Sequence, residues 1–252
     1  MTALLADLAP AVLAALWGAL AGALLPRAVH RFCVPWEERG DGWRSHCPAG
    51  HPLRGWLGRA RCPRCAGAGL PSYGPGAPRL AVLTAAVCLA LAAATGVRPE
   101  LVVWLLLAPA GVLLCAVDLR VRRLPDPLTL PLAAAALLLL AGAALLPEHA
   151  GDFTTALLGA LALGAGYLVL HLLNPGGMAF GDVKLALPAG AVLGWYGWPT
   201  LMLGTFAAFV LGALYGGALA VAGRAGRKTV VAFGPFMLAG TLAGLLVGAY
   251  AA

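Results

Sequence analysis

An all-α polytopic membrane protein, with about eight transmembrane helices and a cytoplasmic cysteine-containing insertion between the first two, is the fold class this sequence predicts. Three observations carry that reading. Of 252 residues, 61% are hydrophobic and only 11% are charged, whereas a soluble domain sits near about 25% charged. The apolar residues gather in runs long enough to cross a hydrocarbon core of roughly 30 Å. Lys and Arg fall almost entirely in alternate connections between those runs.

The runs lie near 8–25, 80–97, 101–117, 128–146, 153–173, 185–198, 200–222 and 230–251. The first is not followed by a small-residue cleavage site and a soluble domain, so it reads as a retained helix. The uncharged stretch 185–222 is too long for one crossing. Trp195-Tyr196-Gly197-Trp198-Pro199 supplies a turn with interfacial aromatics and divides it in two. With eight crossings, residues 26–79 and the connections after the third, fifth and seventh helices share one side. That side holds every one of the 17 Lys and Arg except Arg98. The positive-inside rule makes it cytoplasmic and puts both termini outside. A basic face also suits anionic lipid headgroups. Nucleic acid is excluded as a partner, because aromatic stacking platforms and a soluble fold are missing from the pattern.

Three segments follow: a first transmembrane helix over 1–25, an Arg- and Cys-rich insertion over 26–79, and a seven-helix core over 80–252. The insertion is the only sizeable polar stretch and carries Cys33, Cys47, Cys62 and Cys65. Cys62-Pro63-Arg64-Cys65 is a knuckle of the kind that holds zinc, and Cys47 and His51 precede it at a compatible spacing. A small segment with few core residues needs such a staple, and a reducing cytoplasm disfavours a disulfide. Cys47, His51, Cys62 and Cys65 are therefore the expected Zn2+ ligands. His46 and Cys33 compete with His51 for the fourth place, and His51 is preferred. Cys88 and Cys115 lie inside apolar runs and read as packing residues.

Most acids have ordinary readings. Asp7, Glu100, Glu148 and Asp152 sit at outer helix ends and read as solvated. Glu37, Glu38 and Asp41 lie among arginines, where local ion pairing is the default. Asp126, between Pro125 and Pro127, reads as a turn or N-cap residue. Asp118 and Asp182 are different. Asp118 ends the run Leu113-Leu114-Cys115-Ala116-Val117, and Asp182 opens another after the glycine-rich Gly176-Gly177-Met178-Ala179-Phe180-Gly181. Charges at the edge of the hydrocarbon are costly and tend to be functional. The helix alternation puts both on the cytoplasmic side, where they can meet. Two adjacent carboxylates cannot both ionise and hold one proton between them. The ionised member then activates water while the protonated one donates to a scissile carbonyl. The bland alternatives are an arginine partner for Asp118 and helix N-capping for Asp182. His171 stands alone at a helix end and reads as a packed or interfacial residue.

At these positions the chain resembles the type IV prepilin leader peptidases, bacterial aspartic proteases of the cytoplasmic membrane. The resemblance extends over nearly the whole chain. Trp17 to Arg31 is similar to the family's first helix and its exit. Ala116-Val117-Asp118-Leu119-Arg120 with Leu124-Pro125-Asp126 is similar to the segment of the first catalytic aspartate. Gly176 to Lys184 is similar to the GxGD segment of the second, and Phe233-Gly234-Pro235-Phe236 to the motif opening the last helix. The resemblance implies cleavage of prepilins and pilin-like secretion subunits after a glycine, by Asp118 and Asp182. It also implies N-methylation of the new terminus with S-adenosylmethionine in many members, to which Glu37 or Glu38 would contribute by position. Two residues depart from the pattern. Ala179 stands where GxGD has its first glycine, and Gly50 stands where the insertion has a further cysteine, leaving His51 as its substitute. A proton-coupled transporter using the same acids, and a pilus-assembly scaffold with inert ones, are the competing classes. Two acids at one surface and no inverted repeat count against the transporter.

Overall fold

The computed structural model describes residues 2–35, 42–69, 72–223 and 231–252, with side chains from residue 8 onward. Among the described residues every element is an α-helix, apart from one isolated antiparallel bridge between His46 and Pro52. In chain order the helices are α1 (Thr2–Phe32), α2 (Pro63–Gly67), α3 (Ala77–Thr95), α4 (Glu100–Val121), α5 (Asp126–Ala143), α6 (Phe153–Leu173), α7 (Phe180–Gly194), α8 (Trp198–Val221) and α9 (Gly234–Ala251). The short α2 belongs to the cysteine-bearing insertion.

Of the other helices, seven are long and apolar enough to cross a membrane. The remaining one, α7, has 15 residues, a length of about 22 Å at 1.5 Å per residue. It begins at Phe180, earlier than the apolar run suggests, so Asp182 lies inside its first turn. It is also the helix most enclosed by protein. All residues from Leu185 to Gly194 except Leu187 are buried, with α5, α6, α8 and α9 packed around it. A helix walled by longer helices has its apolar surface covered without meeting lipid.

The chain divides into two compact units, Met1–Val97 with Trp104–Val121, and Arg98–Val103 with Arg122–Ala252. In the first, α1 lies along α3 with Gly18 against the Thr84 carbonyl, where an added Cβ would come within 2.6 Å. Trp17 Nε1 donates to the Leu105 carbonyl of α4 at 2.8 Å. In the second, Gly159 of α6 faces Gly190 and Gly194 of α7, and Gly204 of α8 faces Gly240 and Gly244 of α9. Lipid supplies no hydrophobic force between helices, so close backbone approach at small residues is what holds such pairs.

Two expectations are corrected here. Glu100 is fully buried rather than solvated. Its Oε1 accepts from the Tyr196 hydroxyl and the Ala150 N–H, each at 3.3 Å, and lies 3.8 Å from the Arg98 guanidinium. Arg98 also donates to the Ala249 carbonyl at 2.8 Å. The acid opening α4 therefore ties together the approach to α6, the α7–α8 turn and the end of α9. Trp195 in that turn is buried too, because Gly151 packs flat against its indole.

Candidate active site and metal centre

Asp182 owes its position to a loop with little freedom. The Gly177 and Met178 N–H groups donate back to the Asn174 carbonyl at the end of α6. The Asn174 side chain fills the space where a Cβ on Gly177 would stand. His171 Nδ1 donates to the Met178 carbonyl at 2.8 Å, and its ring lies 5.5 Å from that of Phe180. Ala179 then takes the N-cap position of α7 with φ −75° and ψ 147°. Asp182 Oδ2 accepts the Ala179 N–H at 3.3 Å, which satisfies one of the amides left unpaired at a helix start. Asp182 is thus not the N-cap that the bland alternative expected, but the third residue of the helix reaching back to the N-cap amide, and its side chain is only 5% exposed. An exposed acid would cap equally well, so capping alone does not explain the burial.

The residues flanking Asp182 are set by packing. A Cβ on Gly181 would lie 3.1 Å from Leu124 Cβ, so the glycine admits the buried Leu124 beside it. Ala179 has ordinary extended angles and is exposed, so its methyl meets no steric obstacle. Lys184 crosses the Phe180 ring at 4.8 Å and donates to the Asp126 carboxylate. Asp126 is thereby corrected from a turn or capping residue to the first residue of α5, with Pro125 at the N-cap. Its ion pair fastens α5 to the first turn of α7. His171 and the Lys184–Asp126 pair were missed as bracing groups, because the first meets a backbone carbonyl with no sequence signature and the second joins residues 58 apart.

Asp118 lies in the last turn of α4 and is 4% exposed, behind the fully buried Val117. The helix ends three residues later, where Arg122 adopts φ +51°. A side chain in that left-handed region is uncommon and stops the helix. Arg120, in the same turn, hydrogen-bonds the Cys33 thiol. Burial pushes that thiol up, against the pull of Arg120 and Arg44.

The insertion brings Cys47, His51, Cys62 and Cys65 together, all four ligand atoms lying within 4.8 Å of one another. His51 Nδ1 lies 3.6, 3.7 and 3.4 Å from the sulfurs of Cys47, Cys62 and Cys65, and Cys47 Sγ lies 3.7 Å from Cys65 Sγ. Tetrahedral zinc with its usual bond lengths requires edges of about 3.8 Å between sulfurs and about 3.6 Å from sulfur to nitrogen. The donor set fits that ion in chemistry and in spacing. Burial first, and then the neighbouring thiols, push Cys65 up to about 11, while backbone N–H groups of Cys65 and Arg64 pull Cys62 down. A cation between them would relieve the crowding of thiolates. The competing donors are engaged elsewhere. His46 Nδ1 meets Ser45 Oγ at 2.8 Å, and Cys33 faces Arg120. Glu37 and Glu38 lie outside the described residues.

Residues 101–217, which include both aspartates, match the type IV leader peptidase family. A prepilin leader peptidase/N-methyltransferase of Burkholderia pseudomallei strain K96243 is 31% identical over 239 residues, covering 88% of this chain and 70% of that protein. One from Klebsiella pneumoniae is 34% identical over 182 residues, covering 70% of this chain and 75% of that protein. One from Aeromonas hydrophila is 35% identical over 205 residues, 76% of this chain and 64% of that protein. No solved structure matches the chain.

Proposed function

Because this chain belongs to the type IV leader peptidase family, we propose that it is a membrane aspartic endopeptidase that removes the basic leader from type IV prepilins or pilin-like secretion subunits. The observation that carries the reading is Asp182. It is a buried carboxylate on the most enclosed helix, behind a braced glycine loop and inside the segment matched to the family. Asp118, buried at the end of α4 within the same match, is the second acid that the family resemblance calls for. The chain alternates across the bilayer so that α4 ends, and α7 begins, on the Arg-rich side, which is the cytoplasmic side by charge. The family match disfavours the transporter and the inert scaffold.

The chemistry follows from two carboxylates sharing one proton. The ionised member takes a proton from water as that water attacks the scissile carbonyl. The protonated member donates to the developing oxyanion, and the roles reverse as the amine leaves. His171, Lys184 and Asp126 hold the loop and first turn so that the Asp182 carboxylate meets the peptide in one geometry.

The Cys47, His51, Cys62 and Cys65 cluster would hold a structural zinc. Four protein ligands leave no open position, so the ion supplies folding energy rather than a reactive water. N-methylation of the new terminus is the second proposed activity, with S-adenosylmethionine as methyl donor and Glu37 and Glu38 as the residues expected to serve it. No described residue is assigned to that step.

Incubation with a prepilin and labelled S-adenosylmethionine, followed by mass analysis, reads both activities. Cleavage after the leader glycine is expected from the unaltered protein. Asp118→Asn and Asp182→Asn are each expected to insert normally and lose cleavage by more than about 1,000-fold, the scale set by removing a catalytic group. Full processing by either variant overturns the assignment.

A further inference from the structure

One part of the insertion carries no metal-binding side chain. From Leu53 to Arg59 the chain reads Leu-Arg-Gly-Trp-Leu-Gly-Arg, an apolar pair between two glycines with an arginine on either side. The glycines serve the turn: Gly55 has φ +74° and Gly58 φ +123°, angles that side chains rarely adopt. Trp56 and Leu57 remain 41% and 58% exposed, with Trp43 beside them at 38% and a ring separation of 5.6 Å.

The loop also runs the wrong way for a solvent loop. Arg31 of α1 donates to the Leu53 carbonyl at 2.6 Å, and Arg27, one turn nearer the membrane, donates to the Arg54 carbonyl at 2.8 Å. The Gly58 N–H reaches the Leu24 carbonyl at 2.7 Å, and the Arg27 N–H returns to the Gly58 carbonyl at 3.0 Å. The segment therefore descends the flank of α1 toward its apolar run, which ends near Leu25. Its lowest point lies level with Leu24, eight residues before the helix ends at Phe32, or about 12 Å along the axis. Trp56 is braced by Phe32, with rings 5.2 Å apart, and by the Arg31 guanidinium 4.6 Å from its ring. The brace fixes the indole without covering it.

We propose that the Arg54–Arg59 loop is a membrane anchor, with Trp56 and Leu57 entering the interface of an anionic leaflet and Arg54 and Arg59 lying on its headgroups. Charge selects the lipid. Between residues 42 and 69 the charged side chains are Arg44, Arg54, Arg59, Arg61 and Arg64, with no acid among them. Arg54, Arg59, Arg61 and Arg64 are exposed. Tryptophan favours the headgroup boundary, and each arginine near an anionic surface adds attraction. The anchor holds the metal-bearing segment against the membrane, independently of what the aspartates do.

The test uses the full chain, loaded with zinc, in nanodiscs of phosphatidylglycerol and in nanodiscs of phosphatidylcholine. The photocrosslinker p-benzoylphenylalanine replaces Leu57 in one sample and the exposed Ala49 in another. Phospholipid adducts at position 57, at least about fivefold over position 49, are expected by mass spectrometry. The double variant Arg54→Gln/Arg59→Gln is expected to lower that yield severalfold in phosphatidylglycerol and to leave it unchanged in phosphatidylcholine. Zinc content reports that the insertion remains folded in every sample. Adducts to protein, equal lipid yields at 57 and 49, or a yield indifferent to the arginines would overturn the proposal.

Discussion

The insertion and the α6–α7 junction both place polar chemistry at a membrane edge, but they are held in opposite ways. In the insertion the convergent groups are side chains. Three sulfurs and an imidazole meet, supported by little more than Leu53 and Tyr73. At the junction the convergent groups are backbones. Gly159, Gly190 and Gly194 bring α6 and α7 into contact, and the loop before Asp182 is tied by its own carbonyls and His171. One region has the donors to be held by an ion, and the other depends on the absence of methyl groups. Each can therefore be broken by a change that leaves the other intact.

Removing the metal is expected to have the largest effect. Structural zinc contributes about 10–16 kcal/mol in small domains at neutral pH, far more than a cluster of three cysteines and two partly buried hydrophobics can replace. Chelation, or Cys65→Ser, is expected to abolish hydrogen-exchange protection over residues 42–69. The helical signal of the membrane segments should stay nearly unchanged. Thiols must deprotonate to bind, so affinity rises with pH. The Cys65 thiol, pushed up to about 11 without an ion, stays protonated at neutral pH until metal competes for it. Retained protection in stripped protein would show that the cluster does not organise the insertion.

The junction should break under a single methyl. A Cβ on Gly190 would meet the Gly159 carbonyl and the Ala160 backbone, and neither can move without separating the helices. Gly190→Ala is expected to lower stability in detergent by about 1–3 kcal/mol, the usual cost of overpacking. Gly166→Ala on α6, where an added Cβ meets nothing within 4 Å, is the control and should be neutral. Zinc content should be the same in both. Equal melting of the two variants would remove the close seam from the account of how α7 is held.

How far each region could be read from sequence follows from the same contrast. Metal-binding side-chain types announce themselves, so the clustering of Cys47, His51, Cys62 and Cys65 was readable from spacing, and the places of Asp118 and Asp182 at the ends of apolar runs marked them as unusual acids. Run lengths located all eight apolar helices, but among the described residues only seven of them are long enough to cross a membrane, and the short, enclosed α7 was not foreseen. Packing does not announce itself. The early start of α7 at Phe180 depends on Asp182 receiving the Ala179 N–H, and the burial of Glu100 depends on Arg98, Ala150 and Tyr196 arriving from three places. His171 looked idle because its partner, the Met178 carbonyl, has no signature in sequence.

The smallest effects separate the two residues that open α7. Sequence comparison draws attention to Ala179, the departure from glycine, as a limit on substrate approach. The geometry moves the constraint two residues on. Ala179 is exposed with φ −75°, where glycine's freedom has no use, so Ala179→Gly should change cleavage by less than about twofold, in line with the ±0.5 kcal/mol of surface substitutions. Gly181 is the tight position, since its Cβ would stand 3.1 Å from Leu124 Cβ. Gly181→Ala must move Leu124 or the first turn by a few tenths of an ångström, and the adjacent carboxylate moves with it. A displacement near 1 Å costs about 100-fold in rate, so a loss of roughly tenfold is expected, with stability nearly unchanged. Making room through Leu124→Ala in the same chain should recover most of it. Kinetics of prepilin cleavage by the three variants decide the matter. A large gain from Ala179→Gly, or no loss from Gly181→Ala, would return the constraint to the first position of the motif and make the Leu124 contact incidental to catalysis.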